Sequence, residues 1–243
     1  MIFWLLYLFL IGFLVVSAVV VFKADMSGPS KIIHILITVM LVYGFYKIKY
    51  PTYTYRYRMT VEIDAGGQTR SASSVIEVTA TRQPQILPEV LPFVRSAEGQ
   101  AIFIELPDGK NIVALLASGA VGERRGYPFD VIPLAFRPSK NKWINYDEVP
   151  ELRGRRELTK EQMPTLVTVI DPADARTARV VNVDELGSTF GVHLRSISVE
   201  MTKDAVTPMD IERHLPFLVN ERNQRVETRY PGVFTPFYSS FVR

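Results

Sequence analysis

The sequence predicts an N-terminal two-helix transmembrane hairpin followed by a mainly antiparallel, sandwich-like β body with a few short helices. Three observations carry that prediction. Two long apolar runs open the chain, Met1 to Phe22 and Ile32 to Tyr46, neither holding an Asp, Glu, Lys or Arg. From Tyr53 onward apolar and polar residues alternate at period two in several runs, the mark of strands with one wet face. Those runs are joined by short Gly- and Pro-rich turns, with too few helical stretches between them to serve as the crossovers of a parallel sheet.

Charge separates the two parts. Of 28 basic and 25 acidic residues in the 243-residue chain, the first fifty positions hold only Lys23, Asp25, Lys31, Lys47 and Lys49, which leaves 24 of each sign from Pro51 onward. The net charge of +3 therefore lies beside the apolar runs, and the body is neutral. A neutral body has no excess cations with which to displace counterions from a phosphate backbone, so no nucleic-acid partner is expected. The absence of cysteine excludes disulfides, thiolate metal sites and cysteine nucleophiles.

The first run, residues 1–22, is long enough to cross a hydrocarbon layer of roughly 30 Å as a helix rising about 1.5 Å per residue. A cleaved signal peptide would carry basic residues at its start and a shorter apolar stretch, whereas the first basic residue here is Lys23. The Gly28-Pro29 pair breaks the chain direction, and a second span is expected at about residues 32–48. Its apolar core is short, but Lys31 and Lys47 can snorkel, and Tyr43, Phe45, Tyr46 and Tyr50 suit the headgroup layer. The competing reading is an interfacial or re-entrant segment. Residues 1–50 thus form the hairpin, with the lipid bilayer as partner. Gly12, Ser17 and Ala18 on the first span permit close helix approach. His34 lies three residues from Lys31, near the headgroups, and is assigned no role.

The side of the membrane is divided by charge. Lys23 and Lys31 sit in the short loop, whereas Lys47, Lys49, Arg56 and Arg58 follow the second run, and the N-terminus is bare.

In the body, residues 51–243, Tyr57, Met59, Val61 and Ile63 alternate with Arg58, Thr60 and Glu62, and Asp64-Ala-Gly-Gly67 turns the chain into a return strand containing Val75-Ile-Glu-Val-Thr79. Prolines between Gln83 and Pro92 limit any helix there to a turn or two. Gln100 to Leu106 and Asn111 to Ala117 form a second hairpin around Pro107-Asp-Gly109. Residues 118–162 read as irregular, with a candidate strand at Val131 to Phe136 and a capping box at Thr159-Lys-Glu-Gln162. Strands are expected at Thr165 to Ile170 and Ala178 to Val183, and a short helical turn capped by Asp184. A long strand follows at Phe190 to Thr202, whose apolar phase slips near Arg195 and Ser196 and calls for a bulge. Thr207-Pro-Met-Asp210 has the form of a helix start, and the tail from Pro231 to Arg243 interleaves Pro with Phe234, Phe237, Tyr238 and Phe241. The body is either one enlarged domain or two lobes split within residues 118–160.

No nucleophile elbow, dinucleotide loop, phosphate loop or His-Glu-x-x-His motif occurs. His34, His193 and His214 are too scattered for a local zinc signature. Asp171, Asp174, Asp184 and Glu185 fit turns and caps better than a calcium loop. Arg153-Gly-Arg155-Arg156 reads as solvated loop charge among Glu148, Glu151 and Glu157. No catalytic residue, cofactor-binding residue or metal ligand is assigned, and no cofactor is expected.

The segments Tyr57-Arg-Met-Thr-Val-Glu62, Ser73-Ser-Val-Ile-Glu-Val78, Pro164-Thr-Leu-Val-Thr168 and Thr189-Phe-Gly191 followed by Leu194 to Thr202 together make the chain resemble uncharacterised membrane-anchored proteins of proteobacteria. The resemblance covers patches of residues 53–117 and 164–218. It implies a body on the envelope side of the inner membrane, hence in the periplasm, and brings no activity with it. The second apolar run is a departure from that group, because an extra span reverses the side unless the N-terminus moves too. The expected function is that of a membrane-anchored, non-enzymatic envelope protein whose β-rich domain binds a protein or cell-envelope partner. The alternatives are a membrane-tethered enzyme assembled from residues such as Asp130, Asp147 and His193, and a membrane subunit of a larger complex.

Overall fold

The computed structural model describes residues 12–17, 19, 21, 27–85, 87–118, 128–139 and 143–219. The chain divides into two units, Met1–Thr52 with Thr81–Pro92, and Tyr53–Ala80 with Phe93–Arg243.

In the first unit, helix α1 runs over Gly28–Lys49. The Gly-Pro pair expected to lie in the connecting loop instead opens this helix. Pro29 sits in the first turn, where its missing N–H has no intrahelical partner to lose and its fixed φ already suits the helix. The 22 residues are therefore long and apolar enough to span a membrane, and none of them is buried. Large side chains stand exposed along it, Met40 at 73% and Ile48 at 81%. At its C-terminal end the Lys47 ammonium lies 5.7 Å from the centre of the Tyr43 ring, and the Tyr46 and Tyr50 rings are 4.9 Å apart. Residues 12–17, 19 and 21 of the first run are helical. Ser17 is buried, and the Thr38 hydroxyl lies 3.4 Å from its Oγ and 2.9 Å from the His34 carbonyl oxygen. The rest of the first expected span lies outside the described residues, as does the aromatic tail. The proline-rich stretch of this unit holds no helix among its described residues; it is a loop tied by Gln83 N–H donating to Pro92 O at 3.0 Å.

The second unit is mostly antiparallel β. The strands are β1 Thr52–Ala65, β2 Gln68–Arg82, β3 Phe93–Glu98, β4 Ile102–Glu105, β5 Asn111–Ala114, β6 Arg155–Glu157, β7 Leu166–Val169, β8 Ala178–Val180 and β9 Val192–Thr202. They form a five-stranded sheet, β3-β2-β1-β9-β6, and a four-stranded sheet, β4-β5-β7-β8. Burial in β1 alternates without a break from Tyr55 to Ala65, because one face meets the core and the other meets water. The turn into β2 uses Gly66 and Gly67 at φ +57° and +78°, a conformation that costs other residues more. β9 pairs with β1 with a register shift that sets Glu62 opposite Ser196 and Ile63 opposite Leu194. Arg195 is thus the extra residue, where the phase slip predicts a bulge.

Tyr57, Val61 and Ile63 of β1, Ile76 of β2 and Ile197 of β9 share one buried cluster with Ile104, Ile112 and Leu166 of the second sheet. The opposite face of that second sheet, with Val113, Leu115 and Val167, is covered by Ile211, Leu215 and Leu218. Both faces of the four-stranded sheet are therefore packed, and every residue of β5 is buried. That is why β5 and the residues after it read as a continuous apolar run from Ile112 to Ala117 rather than as an alternating one.

Three expectations are corrected. Val131–Ala135 is a short helix, α2, and not a strand: Leu134 N–H donates to Asp130 O at 2.9 Å and Phe136 N–H to Ile132 O at 3.0 Å, and Pro133 is tolerated in a first turn. The turn at residues 183–185, followed by α3 (Leu186–Phe190), is capped by Asn182, whose side-chain oxygen accepts from Asp184 N–H at 3.2 Å, and not by Asp184. The helix expected from Thr207 begins later, as α4 (Ile211–His214), because Thr207 is bonded to β2 instead. The Thr159 capping box is present, with Thr159 N–H donating to Gln162 Oε1 at 3.0 Å.

Candidate functional site

The turn after β4, the end of β7, strand β8 and helix α3 enclose a cleft of about 540 Å³. Its position follows from the sheet order. β8 is the outermost strand beside β7, so residues leaving β7 and entering β8 have no further strand to cover them. Ile170 is 72% exposed and Val180 43% exposed. Phe190, at the end of α3, closes one side, with the Lys110 ammonium 5.8 Å from the centre of its ring. Lys110 also pairs with Asp108 at 2.7 Å across the β4–β5 turn.

The charged groups of the cleft are balanced. The Arg179 guanidinium is held in place by its own backbone, Nη1 donating to Arg176 O at 2.6 Å and to Ala178 O at 2.8 Å. Glu185 lies by the amide of Asn182 at 3.4 Å. Lys110 and Arg179 thus line the cleft together with Asp108 and Glu185 and the exposed apolar side chains of Ile170 and Val180. Such a surface suits an amphipathic segment: apolar side chains pack on Ile170 and Val180 while the charged residues supply hydrogen bonds of either sign.

A second polar cluster stands on the β3 side of the core. Arg95 Nη1 donates to Asp130 Oδ1 at 2.9 Å and lies 3.1 Å from the Tyr146 hydroxyl, which itself donates to Asp130 Oδ1 at 3.0 Å. The Arg95 guanidinium also lies 5.0 Å from the centre of the Phe129 ring. Tyr55 and Tyr57 donate from β1 to the carbonyls of Phe129 and Pro128 at 2.9 and 3.1 Å. Burial raises the Tyr55 pKa well above its ordinary value and pushes Tyr146 up to about 12, with the Asp130 carboxylate adding to both. Burial opposes the charge of Arg95, yet Tyr146 and Asp130 outweigh it and hold its pKa above the usual guanidinium value. Each strong acceptor here already has a donor, so the cluster fastens residues 128–130 to the first sheet.

The residues considered for an enzyme are not brought together. Asp130 is taken up by Arg95 and Tyr146, Asp147 is exposed, and His193 is exposed on β9 beside Gly187; among the described residues no hydrogen bond joins any two of the three. None of them lines the cleft. His214 stacks on Phe103 with ring centres 4.5 Å apart, and the imidazole Nε2 of His34 is buried with no hydrogen-bond partner. The acidic residues weighed for calcium have local duties: Asp171 accepts from Ala173 N–H, Asp174 pairs with Arg176, and Asp184 pairs with Lys160. Among the described residues no group of three or more His, Asp or Glu side chains is placed to hold a metal ion. The cleft was not singled out from sequence because four separated segments build it, and none of its residues is unusual where it stands. Comparison of the chain with family models, with curated proteins and with solved structures finds no match.

Proposed function

We propose that this protein is a non-enzymatic, membrane-anchored protein of the bacterial envelope whose β-rich body binds a protein partner through the cleft beside β8. The observation that carries the reading is the pairing of an edge strand with exposed Ile170 and Val180. A partner segment in extended conformation can add to β8 by main-chain hydrogen bonds and set alternate side chains into the cleft. The charge-balanced rim accepts a peptide of mixed sequence. Anchoring in the inner membrane is supported by the length and exposed apolar surface of α1, and a two-helix hairpin by the contact between Thr38 and Ser17. A periplasmic body is the side implied by the resemblance to membrane-anchored proteobacterial proteins.

The test is site-specific photocrosslinking in native membranes, with the reactive side chain placed at Ile170 or Val180 and, as a control, at Glu89. A discrete adduct from the first two positions and none from Glu89 is expected. Adducts of the same pattern from all three positions would contradict the proposal. Reporters active on one side of the membrane only, fused after Arg243, test the side; signal from a cytoplasmic reporter alone would contradict a periplasmic body.

A further inference from the structure

A second cavity, of about 370 Å³, lies on the outer face of the first sheet where β1 begins and β9 ends. Arg56 enters it from β1, Lys203 from the residue after β9, and Arg153 from the loop before β6. Sheet register explains the convergence: Arg56 lies opposite Thr202, and Arg155, two residues past Arg153, lies opposite Glu200. Three cations thus face a single carboxylate, Glu77, in a body that is neutral as a whole. That carboxylate is engaged by Arg56 Nε at 2.6 Å. Arg56 also directs Nη1 to Asp204 O at 3.3 Å, and Arg153 gives Nη1 to the carbonyls of Pro150 and Leu152 at 2.7 and 2.6 Å. A guanidinium has five N–H groups, so each arginine keeps N–H donors for another acceptor. Among the described residues Lys203 has no ion pair. Thr54 and Thr202 add hydroxyls to the wall.

We propose that this cavity binds the phosphate of an anionic phospholipid headgroup through Arg56, Arg153 and Lys203. Forked guanidinium donors and an ammonium match the several acceptor oxygens of a phosphodiester. A zwitterionic headgroup would bring its own cation into a site that already has an excess of them. The source of the ligand follows from chain length and rests on the membrane reading above. Thr54 is the fifth residue after Lys49, the end of α1, and five residues span at most about 18 Å when extended. Lys47 and Lys49, with Tyr43, Tyr46 and Tyr50 around them, are the residue types that settle at headgroup depth.

The test uses the full chain in nanodiscs holding equal amounts of phosphatidylglycerol and phosphatidylcholine, with the lipid retained on the protein identified by native mass spectrometry. Retention of phosphatidylglycerol about tenfold over phosphatidylcholine is expected, with a loss of about three- to tenfold in Lys203→Ala and in Arg153→Ala, the size of effect one charged contact produces. Lys160→Ala, remote from the cavity, keeps the retention. Lys203→Glu, at an exposed position without an ion pair, guards against a trivial folding defect and should abolish the preference with an unchanged melting temperature. Equal retention of the two lipids, or a preference untouched by the cavity variants, would overturn the site while leaving the anchor intact. Displacement of the lipid by millimolar inorganic phosphate would assign the cavity to a free anion and overturn the lipid source. Failure of the chain to enter nanodiscs would overturn both the site and the anchor.

Discussion

The Thr207 side-chain oxygen accepts a hydrogen bond from the backbone N–H of Val75 at 2.7 Å, and Thr207 N–H donates in turn to Val75 O at 3.2 Å, across 132 residues of chain. The segment leaving β9 therefore crosses to β2, and the side chain of Val75, which alternation would place on the wet face, is buried. From there the chain reaches Gln100, whose side-chain oxygen accepts from the N–H groups of Asp210 and Ile211, and α4 settles on the second sheet. Thr207→Val keeps the volume and removes the acceptor, leaving a partly buried N–H unpaired. We expect a loss of about 1–2 kcal/mol, read from thermal unfolding of the detergent-solubilised chain, and a melting temperature equal to that of the parent would contradict this role.

Ser74 offers the opposite case. Its side chain faces the core at 1% exposure, and its hydroxyl has no hydrogen-bond partner. An unpaired buried hydroxyl is a cost, so Ser74→Ala is expected to leave stability unchanged or raise it by about 1 kcal/mol. A clear drop in melting temperature would show that the hydroxyl is satisfied after all.

The core and the cleft separate cleanly by mutation. Ile197 is fully buried between the sheets, and Ile170 is 72% exposed at the cleft. Ile197→Ala should cost about 2–5 kcal/mol, through lost transfer energy and the cavity left behind, whereas Ile170→Ala should stay within about 0.5 kcal/mol. The second variant should nevertheless weaken capture of a partner by a crosslinker at Val180. Equal destabilisation by the two would contradict the assignment of Ile170 to a binding surface.

Tyr146 makes stability depend on alkaline pH. Its pKa is pushed from 10 up to about 12 by burial, with Asp130 contributing. The folded state thus favours the protonated phenol, so the contribution is complete below the unfolded-state value near 10 and is lost as pH rises through about 12. The stability difference between parent and Tyr146→Phe should shrink across that window, and tyrosinate absorbance should show one fewer late-titrating group in the variant. A difference that stays constant from neutral pH to 12 would contradict the burial of this hydroxyl.

Elements whose two faces differ were legible in the sequence. β1 and β9 alternate because one side is wet, and even the bulge at Arg195 showed as a slip of phase. Elements decided by their neighbours were not. β6 is an exposed Arg-Arg-Glu triplet with no pattern of its own, paired only because β9 offers an edge. Val131–Ala135 carries β-prone residues but is closed into a helical turn by local hydrogen bonds. Thr207-Pro-Met-Asp210 has the chemistry of a helix start, yet its threonine is taken up by the backbone of Val75 in β2. The two cavities escaped for a related reason. Arg153 read as solvated charge until register placed it with Arg56 and Lys203, and Ile170 is an ordinary strand-end residue until β8 is seen to be an edge.

The envelope role and the lipid site both depend on α1 lying in a bilayer, and alkaline carbonate extraction of membranes from cells making the full chain tests this most directly. The exposed apolar surface from Ile32 to Ile48 predicts that the protein stays in the sedimented membranes and is released only by detergent. Recovery of the intact chain in the carbonate supernatant would contradict the anchor, and with it the envelope role and the lipid site.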